Sequence, residues 1–242
     1  MACSTPRSDQ VTDPAAKTKI SSREFRRTLL AEGLGTMFLL IGVVGSGIMA
    51  ARLSPTDVGL QLFQNAAATA AVLIAIISIF GSISADFNPA VTIAAWLLGH
   101  RKGNQVPAML AAQVLGGALG TVLANLMFNL AWVDLSTNTR SGSHLWLAEV
   151  VATLGLLLVV FSLVRTKRHT AIPYVVGAYI GGAYYFTSST SFANPAVTVA
   201  RTLSDTFTGI EPSSAPMFVV MQVVGVGLAV VLVKALFPAS DR

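Results

Sequence analysis

Six long apolar stretches alternate with short polar connections along the chain. They lie at about residues 28–51, 60–81, 105–130, 145–165, 171–188 and 213–237. A helix needs about 20 apolar residues to cross the roughly 30 Å of hydrocarbon in a bilayer, and each stretch reaches or approaches that length. Because only helices and closed barrels satisfy their backbone within lipid, the pattern predicts an all-α membrane protein with six transmembrane helices.

Two shorter apolar segments, at about residues 88–99 and 194–203, carry an internal repeat. Both begin with Asn-Pro-Ala-Val-Thr, and both are too short to cross the membrane. They therefore predict two re-entrant half-helices that enter the bilayer and turn back. The first belongs to a half-repeat at 28–130 and the second to a half-repeat at 145–237. Three spans in each half invert the second copy relative to the first, which gives an inverted 3+3 repeat.

The basic residues predict the orientation. With six spans both ends of the chain share one side, which holds all of the 16 Lys and Arg except Arg52, Arg140 and Arg201. The positive-inside rule then places both termini in the cytoplasm, and we expect the chain in the cell (inner) membrane. Residues 1–27 lack a cleavage site after a short apolar core, so we interpret them as a basic cytoplasmic tail. A disordered leader of no specific function is the plainer interpretation of that tail.

Composition excludes several classes of protein. Hydrophobic residues make up 53% of the chain and charged residues 11%, against about 25% charged residues in a soluble domain. The net charge of +5 does not indicate a nucleic-acid partner, because Lys and Arg lie between the apolar runs rather than on one face. The single Cys3 supports neither a disulfide framework nor a Cys-based metal site. His100, His144 and His169 have no metal-ligand spacing, so we predict no enzyme, no metal and no cofactor.

The Asn-Pro-Ala turns suit the start of a helix. Asn is a favoured N-cap and Pro is favoured at the first helical position, so helices are predicted to start at Asn88 and Asn194. Entering from opposite faces, the two N-termini would meet at the midplane, each carrying about +0.5 charge. This arrangement would repel cations and protons, while the two amides donate hydrogen bonds to a passing neutral solute.

Glu32 and Glu149 occupy equivalent places, each after an Ala and early in its half. An ionisable residue within a membrane span is costly and usually faces the protein interior. Two roles fit such a pair. The carboxylates either accept hydrogen bonds from the exposed backbone of the half-helix segments or contact the solute directly.

These motifs resemble those of the major intrinsic proteins, the aquaporins and aquaglyceroporins, over about residues 25–237. The resemblance rests on Ala31-Glu32-Gly33, Ser84, Phe87-Asn88-Pro89-Ala90-Val91-Thr92, Ala148-Glu149 and Asn194-Pro195-Ala196. It implies a fold of six helices and two half-helices, one pore per subunit and a homotetramer. Two GxxxG pairs, Gly116/Gly120 and Gly177/Gly181, independently predict close helix packing.

In this family four positions form a selectivity filter outward of the Asn pair. One of them, the residue after the second Asn-Pro-Ala, is usually Arg, but here it is Val197, which neither narrows a pore nor repels cations as Arg does. By spacing, the other three positions are Thr69 (or Ala68), Gly182 and Ser191. These side chains imply a wide opening with a few hydroxyls and no fixed charge.

Other residues near the predicted pore allow two interpretations each. Asp86, near a point where the family commonly has His, either is solvated in the cytoplasmic vestibule or gathers solute. Arg201 lies four residues after Val197 and stacks over the same helix face, so it either supplies an outer-pore charge or serves only the outer mouth. Phe192 and the run Tyr184-Tyr185-Phe186 either line the outer pore or anchor the chain at the membrane interface.

Together these features predict a passive channel whose partners are small neutral solutes, water and the lipid bilayer. The run 192–207 is similar to bacterial relatives that lack the filter Arg and are associated with arsenic resistance. That similarity implies polyols such as glycerol, arsenous acid or methylated arsenicals as solutes. A water-selective aquaporin is the main alternative. An ion-coupled transporter is a second one, because inverted repeats and broken helices occur there too, and a closed adhesive protein is a third.

Overall fold

The structure is a computed structural model that describes residues 21–238. Cys3, the first 20 residues of the predicted tail and Arg242 lie outside this range. Within it the chain forms helices and loops but no strand. The eight α-helices are α1 Ser22–Leu53, α2 Val58–Phe80, α3 Pro89–Leu97, α4 Val106–Met127, α5 Ser143–Arg165, α6 Ile172–Phe186, α7 Pro195–Ala200 and α8 Ala215–Leu236. Short 3-10 turns precede α4 and α6 and follow α7, at Gly103–Gln105, His169–Ala171 and Arg201–Leu203.

Helix α1 begins earlier than the hydrophobic pattern predicts. The Ser21 Oγ accepts a hydrogen bond from the Glu24 N–H at 3.2 Å, and the Glu24 carboxylate accepts one from the Ser21 N–H at 2.9 Å. This capping box fixes the start of the helix in a polar segment, before the apolar run begins. The predicted tail boundary at residue 27 therefore falls inside α1.

The two halves of the chain repeat one packing scheme. In the first half α1 packs on α2 and α4, and in the second half α5 packs on α6 and α8. Helices α2 and α6 contact each other across the halves. Each half-helix also contacts both halves of the chain. Helix α3 packs on α4 of its own half and on α8 of the other, and α7 packs on α8 of its own half and on α4 of the other.

Five helices of the described chain are long and apolar enough to cross a membrane: α1, α2, α4 with its preceding turn, α5 and α8. The sixth predicted span contains α6, which has 15 residues and rises about 22 Å at 1.5 Å per residue. The turn at His169–Ala171 extends it at one end. Helix α6 takes the place in the second half that α2 takes in the first, since it packs on α5 and on α2.

The two predicted GxxxG pairs lie at helix contacts. A Cβ atom at Gly116 would lie 2.1 Å from the carbonyl oxygen of Gly33, and one at Gly120 would lie 2.3 Å from that of Met37. The backbones of α4 and α1 therefore touch without intervening side chains. A Cβ atom at Gly177 on α6 would similarly lie 2.9 Å from a backbone oxygen of α2.

We predict that Gly120→Ala destabilises the protein, because the added methyl group must displace the α1 backbone. Overpacking of this kind costs about 1–3 kcal/mol. The measurement is thermal unfolding of the purified protein in detergent. Gly227→Ala is the matched control, since a Cβ atom at Gly227 in α8 meets nothing within 4 Å, and Ala in a helix interior is favoured over Gly by about 0.5–1 kcal/mol. Equal unfolding temperatures for the two variants would contradict the prediction.

Candidate functional site

The two Asn-Pro-Ala turns meet and bond to each other. The Asn88 Nδ2 donates to the carbonyl oxygen of Ala193 at 2.7 Å, and the Asn194 Nδ2 donates to the carbonyl oxygen of Phe87 at 2.8 Å. Phe87 and Ala193 have nearly equal positive φ angles, 48° and 47°, a conformation that costs energy for residues other than Gly. The bonds are reciprocal, so each half of the chain holds the turn of the other.

Each asparagine also caps its own half-helix. The Asn88 Oδ1 accepts from the Ala90 N–H at 2.8 Å, and the Asn194 Oδ1 accepts from the Ala196 and Val197 N–H groups at 3.0 and 3.2 Å. Pro follows at the first helical position in both cases. The positive ends of both helix dipoles therefore lie at the point where the turns meet.

Glu32 supports the first turn. Its carboxylate is fully buried and accepts from the backbone N–H groups of Asp86 at 3.0 Å and Phe87 at 2.7 Å. The Ser84 hydroxyl and the Gln113 amide also donate to it. A charge buried in a membrane protein needs such partners, and here they are the polar groups that the half-helix leaves exposed.

Glu149 does the same in the second half. It is fully buried and accepts from the N–H groups of Phe192 and Ala193, both at 2.9 Å. The Gln222 Nε2 donates to it at 2.6 Å and also to the Thr198 Oγ1 at 2.9 Å. These contacts support the first of the two roles considered for the glutamates, since the carboxylates face backbone donors.

The sequence reasoning missed Gln113 and Gln222, although both are fully buried partners of the glutamates. A signal for them was present. Each stands three residues before a Gly of its helix, Gly116 in α4 and Gly225 in α8, so the repeat extends into the last long helix of each half.

A cavity of about 610 Å³ lies between the halves, and both Asn88 and Asn194 line it. Much of its wall is aliphatic and comes from α1, α2, α5 and α6, including Leu39, Val43, Leu73, Leu156, Val176 and Ile180. In a mainly apolar passage, solutes find hydrogen-bond partners only where polar side chains enter the wall.

Three of the four predicted filter residues line this cavity: Thr69, Ser191 and Val197. All three are buried in the protein. The Ser191 Oγ has no hydrogen-bond partner within the described chain. The alternative to Thr69, Ala68, is not among the lining residues.

The fourth predicted filter residue, Gly182, is not part of the cavity wall. It lies on the exposed outer face of α6 and does not line the cavity. Two residues along a helix turn the side chain by about 200°, and Tyr184 consequently faces inward. Its hydroxyl lies 3.1 Å from the Thr69 Oγ1, so a bulky aromatic ring stands where the sequence predicts an open position.

Arg201 also lines the cavity and is 2% exposed. Its Nε donates to the carbonyl oxygen of Thr208, and its guanidinium carbon lies 3.5 Å from the centre of the Phe192 ring. Of the two interpretations of Arg201, this geometry supports a charge in the pore wall.

The aromatic residues of the outer half divide between two positions. Tyr184 and Phe192 line the cavity, whereas Tyr185 and Phe186 are 54% and 57% exposed on the outside of α6. Exposed aromatic rings of this kind suit a membrane interface.

At the opposite end of the cavity Asp86 pairs with Arg101. The two charged groups are 3.0 Å apart, the Thr92 hydroxyl donates to the Asp86 carboxylate at 3.0 Å, and Arg101 also donates to Ser84. Burial by itself would lower the pKa of Arg101, but the facing carboxylate raises that pKa above its ordinary value. Asp86 is thus held in an ion pair rather than freely solvated, and it lines the cavity.

Within residues 21–238 no group of three or more His, Cys, Asp or Glu side chains could hold a metal ion. The inverted halves, the paired half-helix N-termini and the cavity that passes them define a membrane channel with a central pore.

The chain belongs to the major intrinsic protein family, whose sequence model matches residues 19–190. It is 44% identical over 212 residues to the aquaglyceroporin AqpS of Rhizobium meliloti (strain 1021), covering 87% of this chain and 90% of that protein. It is 33% identical over 158 residues to the aquaporin NIP2-1 of Arabidopsis thaliana, covering 62% of this chain and 54% of the relative.

The fold is similar to the X-ray structure of the aquaglyceroporin from Plasmodium falciparum. The TM-score is 0.70 at 20% sequence identity, over 90% of this chain and 97% of that chain. The family membership makes this protein a multi-pass membrane channel for small solutes rather than an enzyme.

We predict that Glu149→Ala collapses the second turn. The change leaves two backbone N–H groups and the Gln222 amide without their acceptor, and each buried unsatisfied donor costs about 1–3 kcal/mol. A large drop in the thermal unfolding temperature in detergent is expected, with a smaller drop for Glu149→Gln, which keeps one acceptor. Glu211→Ala serves as the control, because Glu211 accepts from the Thr139 hydroxyl in an exposed loop. If Glu149→Ala unfolds at the temperature of this control, the supporting role is wrong.

Proposed function

We propose that the protein is a passive channel for small uncharged polyols and metalloid hydroxides, such as glycerol, arsenous acid and methylated arsenicals, together with water. The observation that carries this proposal is Val197, an apolar side chain in the cavity wall directly after the second Asn-Pro-Ala turn. Val offers neither the charge nor the length with which Arg would obstruct a pore at that position. The similarity to AqpS, an aquaglyceroporin, supports a solute larger than water.

Cation and proton exclusion is assigned to the two half-helix N-termini. The half-helices begin directly after Asn88 and Asn194, and both asparagines line the cavity. Each asparagine donates one amide hydrogen to the opposite turn. The side-chain amide of asparagine carries two N–H hydrogens. The second hydrogen of each is the donor offered to a neutral solute, while the two dipole ends raise the energy of a cation at the same point.

A water-selective pore is the second candidate, and two observations favour it. Tyr184 stands in the lining where Gly182 was expected, and Arg201 enters the lining from the outer side. Both side chains are large, so both reduce the opening that Val197 leaves.

An ion-coupled transporter gains no support from the buried carboxylates. Glu32 and Glu149 each accept at least three hydrogen bonds from the protein. A coupling residue must release such partners in each transport cycle, and losing buried partners is expensive. Passive diffusion therefore agrees better with the contacts of the two glutamates.

The experiment that tests the proposal is stopped-flow light scattering of liposomes that hold the purified full chain, after mixing with hyperosmotic glycerol. Water leaves first, and re-swelling follows solute entry. Fast protein-dependent shrinkage with fast re-swelling supports the polyol channel, and arsenous acid is then tested in the same way. Fast shrinkage without re-swelling supports the water-selective alternative and overturns the proposal.

We predict that Val197→Arg lowers glycerol entry about tenfold, which corresponds to about 1.4 kcal/mol of added barrier. The guanidinium would project into the cavity beside Arg201 and fill part of its cross-section. The initial re-swelling rate measures the effect. Val197→Met is the control, because it adds length without charge and is expected to keep most of the flux. Unchanged glycerol entry through a correctly folded Val197→Arg channel would show that residue 197 is not part of the filter.

The orientation and the assembly stay predictions. Both termini are expected in the cytoplasm by the distribution of Lys and Arg, and a homotetramer is expected from the resemblance to the family.

A further inference from the structure

Arg201 is a buried cation in the wall of the cavity. The turn Arg201–Leu203 continues α7, so Arg201 follows Val197 by about one helical turn on the same side of the pore. Its side chain reaches the cavity although only 2% of the residue is exposed. The position is the outer half of the pore, above the level at which the asparagines meet.

The guanidinium is held in one orientation. Its Nε donates to the carbonyl oxygen of Thr208, and its plane covers the ring of Phe192 at 3.5 Å. Phe192 is itself fixed, because Phe218 packs edge-on against it at 5.1 Å between ring centres. An Arg placed on an aromatic face with one nitrogen engaged keeps the orientation of its remaining donors.

Within residues 21–238 no carboxylate forms an ion pair with this charge. In the described part of the chain the one ion pair is Asp86 with Arg101, on the opposite side of the membrane midplane. The nearby Glu149 carboxylate is occupied by backbone N–H groups and Gln222. The neighbouring Arg140 adds a second positive charge, 5.3 Å from the same Phe192 ring. A buried charge without a counter-ion is costly, so its terminal nitrogens need partners in the cavity.

Polar groups of the same region are also unpaired. Within residues 21–238 the Ser191 Oγ and the Thr208 Oγ1 are both buried without a hydrogen-bond partner. Within residues 21–238 the Arg201 guanidinium makes no protein hydrogen bond besides the one from Nε. The four N–H donors of its Nη atoms are therefore left for water or solute in the cavity that Arg201 lines.

We propose that Arg201, presented on the Phe192 ring, is the specificity-determining residue of the pore. Its Nη groups donate hydrogen bonds to the hydroxyl oxygens of a neutral solute, and the positive charge repels cations. The narrow, selective point then lies about 6 Å outward of Val197, at 1.5 Å per residue. The part that concerns neutral solutes rests on the function proposed above, whereas cation exclusion does not depend on which solute passes.

The test compares Arg201→Gln and Arg201→Lys with the wild-type full chain in liposomes. Glycerol entry is followed by light scattering, and sodium entry by an entrapped sodium-sensitive dye. The control is Arg52→Gln. Like Arg201, Arg52 is an arginine of the predicted outer side whose guanidinium lies near an aromatic ring, 5.1 Å from the Phe128 ring centre, and donates to a carbonyl oxygen. Unlike Arg201, it does not line the cavity.

Arg201→Gln is expected to raise sodium entry on the order of tenfold, because a unit charge a few ångströms from the ion path is removed from a region of low dielectric constant. Arg201→Lys keeps the charge but loses the planar fork, so sodium exclusion should persist while the ratio of glycerol to water permeability changes. Arg52→Gln should match the wild type in both assays.

Sodium entry through Arg201→Gln equal to that of the control would overturn the proposal. If Arg201→Gln does not fold, Arg201→Lys still decides, because a permeability ratio identical to wild type would show that the fork does not select solutes. A wild type that conducts water but not glycerol contradicts the function proposed above, and the sodium assay then still tests Arg201 by itself.

Discussion

The whole pore depends on satisfying the backbone N–H groups of the turns that precede two half-helices in the interior of a membrane protein. Two half-helices begin where the halves meet, and the turns before them carry N–H groups that no helix backbone satisfies. Glu32 and Glu149 supply the acceptors, with two backbone N–H groups bonded to each carboxylate. Once these groups are satisfied, the asparagines can cap the half-helices and still turn toward the cavity. The fixed position of the solute path therefore follows from two buried charges placed behind it.

The hydrogen bonds that hold the two turns are nearly the same in both halves, but the residues that line the pore differ between the halves. The glutamate, glutamine and threonine contacts repeat in both halves. The residues that the two glutamates hold at equivalent points differ, since Asp86 stands in the first half and Phe192 in the second. Asp86 binds Arg101 as a neutralised pair, whereas Phe192 carries the unneutralised Arg201. One scaffold thus gives a nearly neutral inner end and a positive outer end.

Much of this arrangement could be predicted from the sequence, because hydrophobic length, a repeated motif and N-cap chemistry are local signals. The six stretches became helices, and both half-helices start directly after Asn88 and Asn194. What the sequence did not predict depends on rotation about a helix axis and on contacts between distant segments. Gly182 and Tyr184 differ by two residues, and only packing on α2 decides which one faces the pore. The position of Arg201 depends in the same way on Phe192 and Thr208, which belong to loops whose paths no local pattern specifies.

The crossed bonds between the turns also set an order of events during synthesis. Asn88 finds its acceptor 105 residues later in the chain, at Ala193. At about 5–20 residues per second, a ribosome needs roughly 5 to 20 s to supply that carbonyl group. Throughout this interval only groups of the first half can hold the first turn, among them the Glu32 carboxylate, which comes before the turn in the chain. The first half therefore cannot complete its crossed bond until Ala193, in the last third of the chain, has been made.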